Sequence, residues 1–515
     1  MENDQSVDRE LFDAIGRDLF GTLPKSWLLT TLGEAFKWGS GGTPKSGNPD
    51  YYGGDIPWLV IGDLNDGIVS ESATNITRLG LENSSTKIVE PGTILVAMYG
   101  SIGKLGIAGC HLATNQAIAF ARTSEIERMY LFYFLMFVRN KMASLGKGAT
   151  QLNISQTVIK AFPFALAPLA EQHRIVAKIE ELFSELDQGV ASLKTAREQL
   201  KVYRQSLLKN AFEGKLTAAW RAAHRDQLET AAALQQRIAR ERQARYQQQL
   251  ADWQTTGQPG PKPKPPKPLP PLTAEELAEL PELPAGWGWA RFGQLFNVHV
   301  GSTPSRKRND FWGGVIPWVS SGEVAFCRLK DTREKISAEG FANASTELHP
   351  PGTVMLAMIG EGKTRGQAAI LDVAAAHNQN TAAIRVSEAG CSPEFVYQYL
   401  VYQYEITRKI GSGNNQKALN KERVSELLLP LCGLDEMAEV VSKIDEKLSE
   451  ADQLDQTLAT ALQQADALRQ SILKKAFHGQ LVKQAKNEEP ATALLERIRA
   501  ERAGAVHRPG RRRQS

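Results

Sequence analysis

A duplication with a nearly constant offset constrains this 515-residue chain more than any other feature of its sequence. Short motifs of the first half return 260 positions later, and one motif beyond residue 200 returns at an offset of 265. Two copies of about 250 residues predict a pseudo-dimer with approximate two-fold symmetry, because solenoids are built from three or more short repeats. The matching pairs are Leu23-Pro24 and Leu283-Pro284, Thr43-Pro44 and Thr303-Pro304, Ile56-Pro57-Trp58 and Ile316-Pro317-Trp318, Pro91-Gly92-Thr93 and Pro351-Gly352-Thr353, and Arg204-Gln205-Ser206 and Arg469-Gln470-Ser471.

Each copy begins with a globular half that is rich in short β-type runs. In the first copy, Gly-Gly, Asn-Pro and Pro-Gly breaks separate three such runs, at 56–61, 93–98 and 107–110. This punctuation is typical of strands joined by turns, whereas 130–141 is long enough for a helix. We therefore expect an irregular, mostly-β domain in 23–168 and another in 283–433.

Each copy ends in a long helical half with a heptad pattern. Apolar residues recur every seven positions in 169–222 and in 434–485, with a second apolar position interleaved. This pattern, sustained over about five heptads, is typical of a coiled coil. The fold class is therefore predicted to be α+β, with two mostly-β domains and two long spacer helices. The seam residues assigned to the spacer and to subunit contacts are Ile179, Leu186, Leu193, Leu200, Leu207, Ile444, Leu458, Leu468 and Ile472.

Four further segments flank these halves. Residues 1–22 form an N-terminal extension, and 223–257 is a helical extension whose sequence is repeated near the C-terminus. Residues 258–282 are dense in Pro and Lys, a composition that behaves as a semi-rigid linker. The chain closes with 486–515, which we predict to be a helix followed by a basic tail.

The bulk composition excludes several classes of protein. The net charge of +4 permits a nucleic-acid partner without requiring one. The four cysteines are isolated and the eight histidines show no ligand spacing, so neither a disulfide framework nor a metal site is expected. The start of the chain is acidic, and the apolar run 130–138 is too short to cross a bilayer. We expect a soluble, cytoplasmic protein.

Two motifs could carry chemistry, and neither is complete. Residues 357–364 read A-x-x-x-x-G-K-T, a relaxed phosphate-binding loop, but the first position is Ala and the matching segment of the first copy ends in Leu105 without a hydroxyl. Residues 48–51 read Asn-Pro-Asp-Tyr, close to the Asn-Pro-Pro-Tyr loop of adenine methyltransferases, but 309–312 abandons that pattern. We predict a turn at residues 48–51. Since neither motif is complete, we also predict that the chain itself is not catalytic.

The remaining candidates are residues that could bind DNA. Lys and Arg contact phosphates and supply affinity, whereas Arg, Lys, Asn and Gln contact base edges and supply specificity. Residues 148–151 and 413–416 form a matching Gly-x-x-Gln turn in both copies, and such a turn either approaches DNA or is simply a solvated loop. The candidate DNA-binding residues are Lys45, Lys104, Lys147, Thr150, Gln151, Arg306, Lys307, Arg308, Lys363, Arg365, Asn414, Asn415 and Gln416.

Taken in order, these motifs resemble the specificity subunit of type I restriction–modification systems. The resemblance rests on the Leu-Pro-x-x-Trp opening of each copy, the Ile-Pro-Trp and Pro-Gly-Thr segments, the Gly-x-x-Gln turn, and Arg-Gln-Ser-Leu/Ile-Leu-Lys near the end of each helix. The motifs occur in the same order in both copies, and together they cover nearly the whole chain. The second copy departs at Met437, where the first has Gln172, which argues against a shared side-chain role at that position.

The resemblance implies a division of labour. The domains 23–168 and 283–433 would be target recognition domains that each read one half of a split, asymmetric site in double-stranded DNA. The two helices would pack antiparallel as a spacer and dock two modification subunits, with restriction subunits added. This chain would hold no cofactor, since S-adenosylmethionine, ATP and Mg would bind the partner subunits. The competing hypotheses are a nucleotide-dependent DNA-processing enzyme that uses 357–364 and a coiled-coil protein without a DNA role.

Overall fold

The computed structural model describes residues 12–122, 125–147, 152–257, 262–266, 269–360, 362–409 and 419–506. The chain divides into two units. Unit 1 comprises Met1–Lys194 and Ala459–Ser515, and unit 2 comprises Thr195–Leu458. The first unit is therefore assembled from both ends of the chain, whereas the second is continuous.

Unit 1 contains one mostly-β domain. Its strands are β1 (Leu28–Thr31), β2 (Lys37–Ser40), β3 (Tyr52–Leu59), β4 (Ile68–Val69), β5 (Asn75–Ile76), β6 (Ile88–Val89), β7 (Ile94–Ala97), β8 (Leu105–Ala108), β9 (Leu112–Thr114), β10 (Ile118–Arg122) and β11 (Pro163–Leu166). Its helices are α1 (12–20), α2 (Leu32–Ala35), α3 (Arg78–Glu82), α4 (Arg128–Ser144) and α5 (Gln156–Ala161), followed by α6 (Leu169–Phe212), which continues into unit 2. The predicted strands and the predicted helix correspond to β3, β7, β8 and α4 and are confirmed.

Unit 2 repeats this series of elements. Its helices are α7 (Ala218–Ala223), α8 (Ala231–Thr255), α9 (Ala274–Ala278), α10 (Phe292–Leu295), α11 (Ala338–Ala342), α12 (Pro393–Tyr402), α13 (Tyr404–Lys409), α14 (Lys421–Glu426) and the first part of α15 (Leu434–Phe477). Its strands are β12 (Gly288–Arg291), β13 (Asn297–Val300), β14 (Trp312–Val319), β15 (Cys327–Leu329), β16 (Glu334–Ile336), β17 (Val354–Ala357), β18 (Ala368–Leu371), β19 (Ala376–His377), β20 (Thr381–Arg385) and β21 (Leu428–Leu431). The last helix, α16 (Ala491–Val506), belongs to unit 1.

The two units share one sheet topology, which confirms the predicted duplication. The order β2-β10-β7-β8-β4 in unit 1 corresponds to β13-β20-β17-β18-β15 in unit 2, and the pair β1-β11 corresponds to β12-β21. The four-stranded sheet β5-β3-β9-β6 corresponds to β16-β14-β19, where a single bridge between His349 and Ala375 stands in the place of β6. Both domains are mostly β, as predicted.

Each five-stranded sheet is buried on both faces. Along β7, Ile94 and Val96 belong to the large core that includes α4, whereas Leu95 and Ala97 belong to a smaller core on the opposite face. Alternate side chains of a strand point to opposite faces, so a continuous apolar run is required where both faces are covered. The corresponding strand β17 has the same alternation.

The two long helices pack antiparallel within each unit, as predicted. In unit 1, Asp187 of α6 forms an ion pair with Arg469 of α15. In unit 2, Arg197 Nε donates to Asp455 Oδ1 at 2.9 Å. Within unit 2, Arg204 also pairs with Asp452, and within unit 1, Glu171 near the start of α6 accepts from Gln484 beyond the end of α15. In each unit the numbering therefore rises along one helix as it falls along the other, so the two helices run in opposite directions.

One line of each heptad seam is packed, and the other is partly exposed. The predicted seam residues Leu186 and Leu193 are half-buried. Leu468 is 50% exposed and lies outside the packed line, as does Leu454 at 49%. The seam residues that are buried are Ile179, Leu200, Leu207, Ile444, Leu458 and Ile472.

In unit 1, a buried glutamate near the start of α6 joins three segments. Glu171 Oε2 accepts a hydrogen bond from Trp27 Nε1 at 2.9 Å, and Gln484 donates to the other carboxylate oxygen. Burial raises the pKa of the Glu171 carboxyl, while these hydrogen bonds lower it. The Trp of the repeated Leu-Pro-x-x-Trp motif thus fixes the opening of the domain to the helix that follows it.

In unit 2, the same arrangement recurs at Glu436. The carboxylate is 2% exposed and accepts from Trp287 Nε1 at 2.9 Å, Thr217 Oγ1 at 2.7 Å and Arg221 Nε at 2.8 Å. A buried carboxylate is tolerated only when donors satisfy its oxygens. As in unit 1, the tryptophan donor lies at the start of the domain. Thr217 and Arg221 lie in the segment after α6, just as Gln484 lies in the segment after α15.

The residue after this glutamate is Gln172 in the first copy and Met437 in the second, and its side chain is buried in both. Gln172 is fully buried, its Nε2 donates to the Ala167 carbonyl at 2.8 Å, and its Oε1 accepts from the Glu127 amide at 3.0 Å. Met437 is equally buried, in the apolar core of unit 2. The difference between the copies put a side-chain role of Gln172 in doubt. The structure shows that Gln172 has such a role but that it is not shared, because each copy fills the position with its own chemistry.

Both domains are covered by a helix that follows a long helix. The Ala491 amide at the start of α16 donates to the Ser26 carbonyl at 3.0 Å, and the Ala231 amide at the start of α8 donates to the Gly286 carbonyl at 2.8 Å. This equivalence explains the sequence repeat between the helical extension and the C-terminal segment. Among the described residues, no helix combines the length and apolarity needed to cross a membrane.

Replacing Glu436 with alanine should lower the free energy of unfolding of unit 2 by about 3 kcal/mol, because Arg221 and two further donors would lose a buried acceptor. Urea denaturation of the purified chain measures the change. Glu439→Ala, on the same helix and 4.0 Å from Lys443, is the control and should cost less than about 1 kcal/mol. Equal effects of the two substitutions would refute the role assigned to Glu436.

Candidate nucleic-acid interface

Five loops of unit 1 meet where the strands of its larger sheets end. The loop after β7 is central: the Met98 amide donates to the Ala117 carbonyl at 2.8 Å, and the Gly100 amide donates to the Leu152 carbonyl at 2.9 Å. We call this region the loop surface of unit 1. It comprises residues 41–48, 60–64, 98–104, 115–117, 145–147 and 152–154.

The loop surface of unit 2 is built in the same way. The Met358 amide donates to the Asn380 carbonyl at 2.9 Å, and the Leu419 amide donates to the Met358 carbonyl at 3.0 Å. These bonds join the loop after β17 to the β19–β20 loop and to the segment before α14. This surface comprises residues 301–308, 320–324, 358–360, 362–366, 378–380 and 419.

Tryptophan side chains anchor the first loop of each surface. In unit 1, Trp58 Nε1 donates to the Gly42 carbonyl at 3.0 Å, and in unit 2, Trp318 Nε1 donates to the Ser302 carbonyl at 3.2 Å. A Cβ on Gly41 would lie 1.8 Å from the Thr114 carbonyl oxygen, so the close approach at that point requires glycine. The repeated Thr-Pro and Ile-Pro-Trp motifs therefore hold this loop in place.

The predicted lysines reach these surfaces. Lys45, Lys147, Lys307 and Lys363 are exposed. Lys104 is half-buried, and its ammonium group donates to the carbonyl oxygens of residues 61 and 62 at 3.3 Å each. Four of the five ammonium groups therefore face solvent, where phosphates could reach them.

The predicted arginines are engaged within the chain. Arg306 stacks 3.7 Å from the Trp312 ring centroid and forms an ion pair with Glu334, which lowers the pKa of that carboxyl. Arg308 Nε donates to Asp310 Oδ1 at 2.8 Å. The charge of this basic cluster is thus largely balanced locally, although exposed ion pairs are weak enough for a phosphate to displace them.

Arg365 is held by backbone rather than by a carboxylate. It is half-buried and donates to the Arg408 carbonyl at 2.7 Å. The candidates Thr150, Gln151, Asn414, Asn415 and Gln416 lie outside the described residues. Their flanks are placed: the amides and carbonyls of Lys147 and Asn153 exchange two hydrogen bonds of 2.9 Å, next to the loop after β7.

An exposed glutamine on each surface was missed in the sequence. Thr303 Oγ1 donates to Gln379 Oε1 at 2.6 Å, and Thr43 bonds Gln116 in the same way in unit 1. Because the threonine hydroxyl engages the carbonyl oxygen of each exposed glutamine, the NH2 group is the part of the amide left to donate to a ligand. The signal was available, because Asn-Gln follows β9 in the first copy and β19 in the second.

The two incomplete motifs form turns. Residues 362–366 form turns that lead directly into β18, which runs antiparallel to β17. A phosphate-binding loop leads from a strand into a helix, so this geometry argues against nucleotide binding. Residues Pro49–Tyr51 form a short 3-10 helix that Asn48 caps through the Asp50 amide at 3.1 Å, as expected for a turn.

Unit 2 groups three histidines beside its five-stranded sheet, of which His349 and His377 are buried and His299 is half-buried. The ring centroids of His299 and His349 are 5.2 Å apart, and those of His349 and His377 are 4.9 Å apart. Burial lowers the pKa of His349 to about 3 and that of His377 to about 4. Glu347 accepts from His299, which lowers the pKa of the Glu347 carboxyl to about 2. Within the described ranges, no group of three potential ligands is arranged to hold a metal ion.

Comparison with known proteins gives concordant matches. The family model of the type I restriction modification DNA specificity domain matches residues 24–194 and 284–464. The chain is 22% identical over 511 residues to the type I restriction enzyme EcoDI specificity subunit of Escherichia coli, covering 96% of this chain and 99% of the relative. It is 23% identical over 529 residues to the StySPI specificity subunit of Salmonella potsdam, covering 94% and 97% of the two chains.

Two solved structures have the same fold. A chain from "Structural basis underlying complex assembly and conformational transition of the type I R-M system" superposes with a TM-score of 0.63 at 18% identity, covering 89% of this chain and 100% of that one. The HsdS subunit from Thermoanaerobacter tengcongensis superposes with a TM-score of 0.51 at 18% identity, covering 89% and 98%.

The buried histidines predict that unit 2 loses stability as the pH falls. The unfolded chain binds protons near pH 6.5 whereas the folded chain does not, so stability is lost from about pH 6.5 down to the folded pKa values of about 4 and about 3. Each histidine contributes at most about 1.4 kcal/mol per pH unit. Urea denaturation between pH 7 and pH 5 should show this slope, and His349→Val, which copies Val89 of unit 1, should reduce it. An unchanged slope would contradict the assignment.

Proposed function

This chain belongs to the family of type I restriction–modification DNA specificity subunits, and on that premise we propose that it selects the DNA site on which such a complex acts. The observation that carries the proposal is the presence of two loop surfaces of one architecture, one in each unit. Two loop surfaces of the same architecture in one chain suit a DNA target that has two parts. We therefore propose a bipartite site, with one half contacted by each surface.

Affinity and specificity would come from different groups on these surfaces. Exposed lysines such as Lys45 and Lys307 would contact phosphates, which fixes the register of the protein on the duplex. The oriented amides of Gln116 and Gln379 would donate to acceptors on base edges or to phosphate oxygens. The loops differ in sequence between the units, so the two half-sites would differ and the whole site would be asymmetric.

The long helices would set the spacing of the half-sites. Each has 44 residues and would span about 66 Å at about 1.5 Å per residue. A rigid spacer fixes how many unread base pairs separate two contacted segments. Changing the helix length would therefore change the spacer and leave the half-sites unaltered.

The same helices would dock the subunits that perform the chemistry. Tyr203, Leu454 and Leu468 are 43%, 49% and 50% exposed on them, and apolar side chains on a helix surface suit a helical partner. We propose that two modification subunits bind there and carry S-adenosylmethionine, with restriction subunits carrying ATP and Mg. The present chain would contribute recognition and assembly and no reacting group.

The phosphate contacts can be tested by salt titration. In the assembled modification complex, Lys45→Ala and Lys307→Ala should each weaken DNA binding and lower the slope of log K against log salt by about one. Lys194→Ala, exposed on α6 and outside the loop surfaces, is the matched control and should leave the slope unchanged. Identical slopes for all three variants would exclude the loop surfaces as the DNA contact.

The scaffold role can be tested by co-expression with the modification subunits, followed by sequencing of methylated adenines. The unaltered chain should direct methylation to one bipartite site. Leu454→Asp should abolish co-purification of the modification subunits and methylation, because it places a charge in the docking surface. Gln205→Asp, also exposed on a long helix, is the control. Methylation that survives Leu454→Asp would contradict docking at this position.

A further inference from the structure

Unit 2 has an open apolar groove of about 720 Å³. It lies between the end of α6, the α12–α13 segment, α14 and β12. Ile406 at its edge is 55% exposed. The lining residues on which the argument depends are Phe212, Trp289, Tyr399, Tyr402, Ile406 and Leu428.

The equivalent place in unit 1 is filled by helix α1. On the matching helix α4, Phe134 and Phe137 occupy the positions of Tyr399 and Tyr402. The Phe20 ring centroid of α1 lies 6.1 Å from that of Phe134 and 6.5 Å from that of Phe137. Phe20 is 1% exposed, so α1 delivers an aromatic side chain into the space that is open in unit 2.

Two further contacts of α1 map onto the groove. A Cβ on Gly16 would lie 2.9 Å from the Leu29 side chain, and Leu29 holds the position of Trp289. Lys141 Nζ lies 2.6 Å from Asp18 Oδ2, and Lys141 holds the position of Ile406. Three independent contacts of one helix therefore coincide with three walls of the groove.

The chain's own preceding segment lines one side of the groove, through Leu280, which holds the position of Phe20 at the offset of 260, and Pro281. In unit 2, the place of α1 in the sequence is taken by the linker and α9. Helix α9 is held at Glu276 by an ion pair with Arg291, and Trp289 Nε1 donates to the Pro281 carbonyl at 3.1 Å. Leu280 and Pro281 thus form one side of the groove, while Tyr402 on its floor and Ile406 at its edge remain partly exposed.

We propose that this groove binds an amphipathic helix of a partner protein, with an aromatic side chain and two aliphatic ones arranged as in Ile15, Leu19 and Phe20 of α1. The occupant is a helix because the equivalent groove of the same fold holds one. Its inner face is apolar because the floor is aromatic. An acidic residue like Asp18 is not required, since Ile406 stands where Lys141 would recognise it.

A labelled peptide with the sequence of residues 12–22 serves as the probe for this groove in the full chain. It should bind saturably, and the same peptide carrying Phe20→Asp should not. Ile406→Lys, which copies Lys141, should strengthen binding of the unaltered peptide about two- to fivefold, the effect of an exposed ion pair. That gain should vanish with a peptide carrying Asp18→Asn, because the partner of the new lysine is then neutral.

Position 406 distinguishes the groove from exchange with α1 in unit 1. Glu405→Lys adds positive charge one residue away, outside the lining, and should not reproduce the gain. Binding that ignores residue 406, or no binding beyond that of the Phe20→Asp peptide, would overturn the proposal. Self-association of the chain that Ile406→Glu abolishes would assign the groove to a second copy and would likewise overturn it.

Discussion

A buried carboxylate at the start of each long helix is the constraint on which the rest of the architecture depends. Glu171 and Glu436 each bind the indole of a domain-opening tryptophan and a donor from the segment that follows the opposite helix. A buried carboxyl group must keep its hydrogen-bond donors, so these bonds fix the orientation of each domain against its helix. The loop surfaces lie at the ends of strands whose sheets pack against the same helices, so their orientation follows from these bonds.

Local patterns predicted the elements, and contacts distant in sequence decided the rest. Heptads are local, so both 44-residue helices and most of the packed seam followed from spacing alone. The pairing of Arg306 with Glu334 is not local, and a run of basic residues therefore suggested more free charge than the fold leaves. The packing of α1 could not be predicted from the sequence either, because a nine-residue amphipathic segment indicates a helix but not the groove in which the helix packs. Gln116 and Gln379 could have been found by extending the comparison of the copies through the loop after β9.

The duplicated domains show how one fold carries different interiors. In unit 1, Phe120 lies opposite Gly39, whose hydrogen leaves room for the ring, because a Cβ there would lie 2.5 Å from it. In unit 2 the same register pairs Ala383 with His299, so the large side chain has moved to the other strand. Volume is conserved across the pair, while the chemistry changes from apolar to titratable. The two copies therefore differ in chemistry at this pair of positions while the strand register is the same.

The assembly of unit 1 from both chain ends has a consequence for biosynthesis. On the ribosome, residues 195–458 emerge together and can complete unit 2, whereas the domain of unit 1 lacks Gln484 and α16 until residues 459–506 are translated. At about 5–20 residues per second, that delay is on the order of tens of seconds. The domain made first is therefore finished last, and a transcript cut short would release its apolar face to chaperones and proteases.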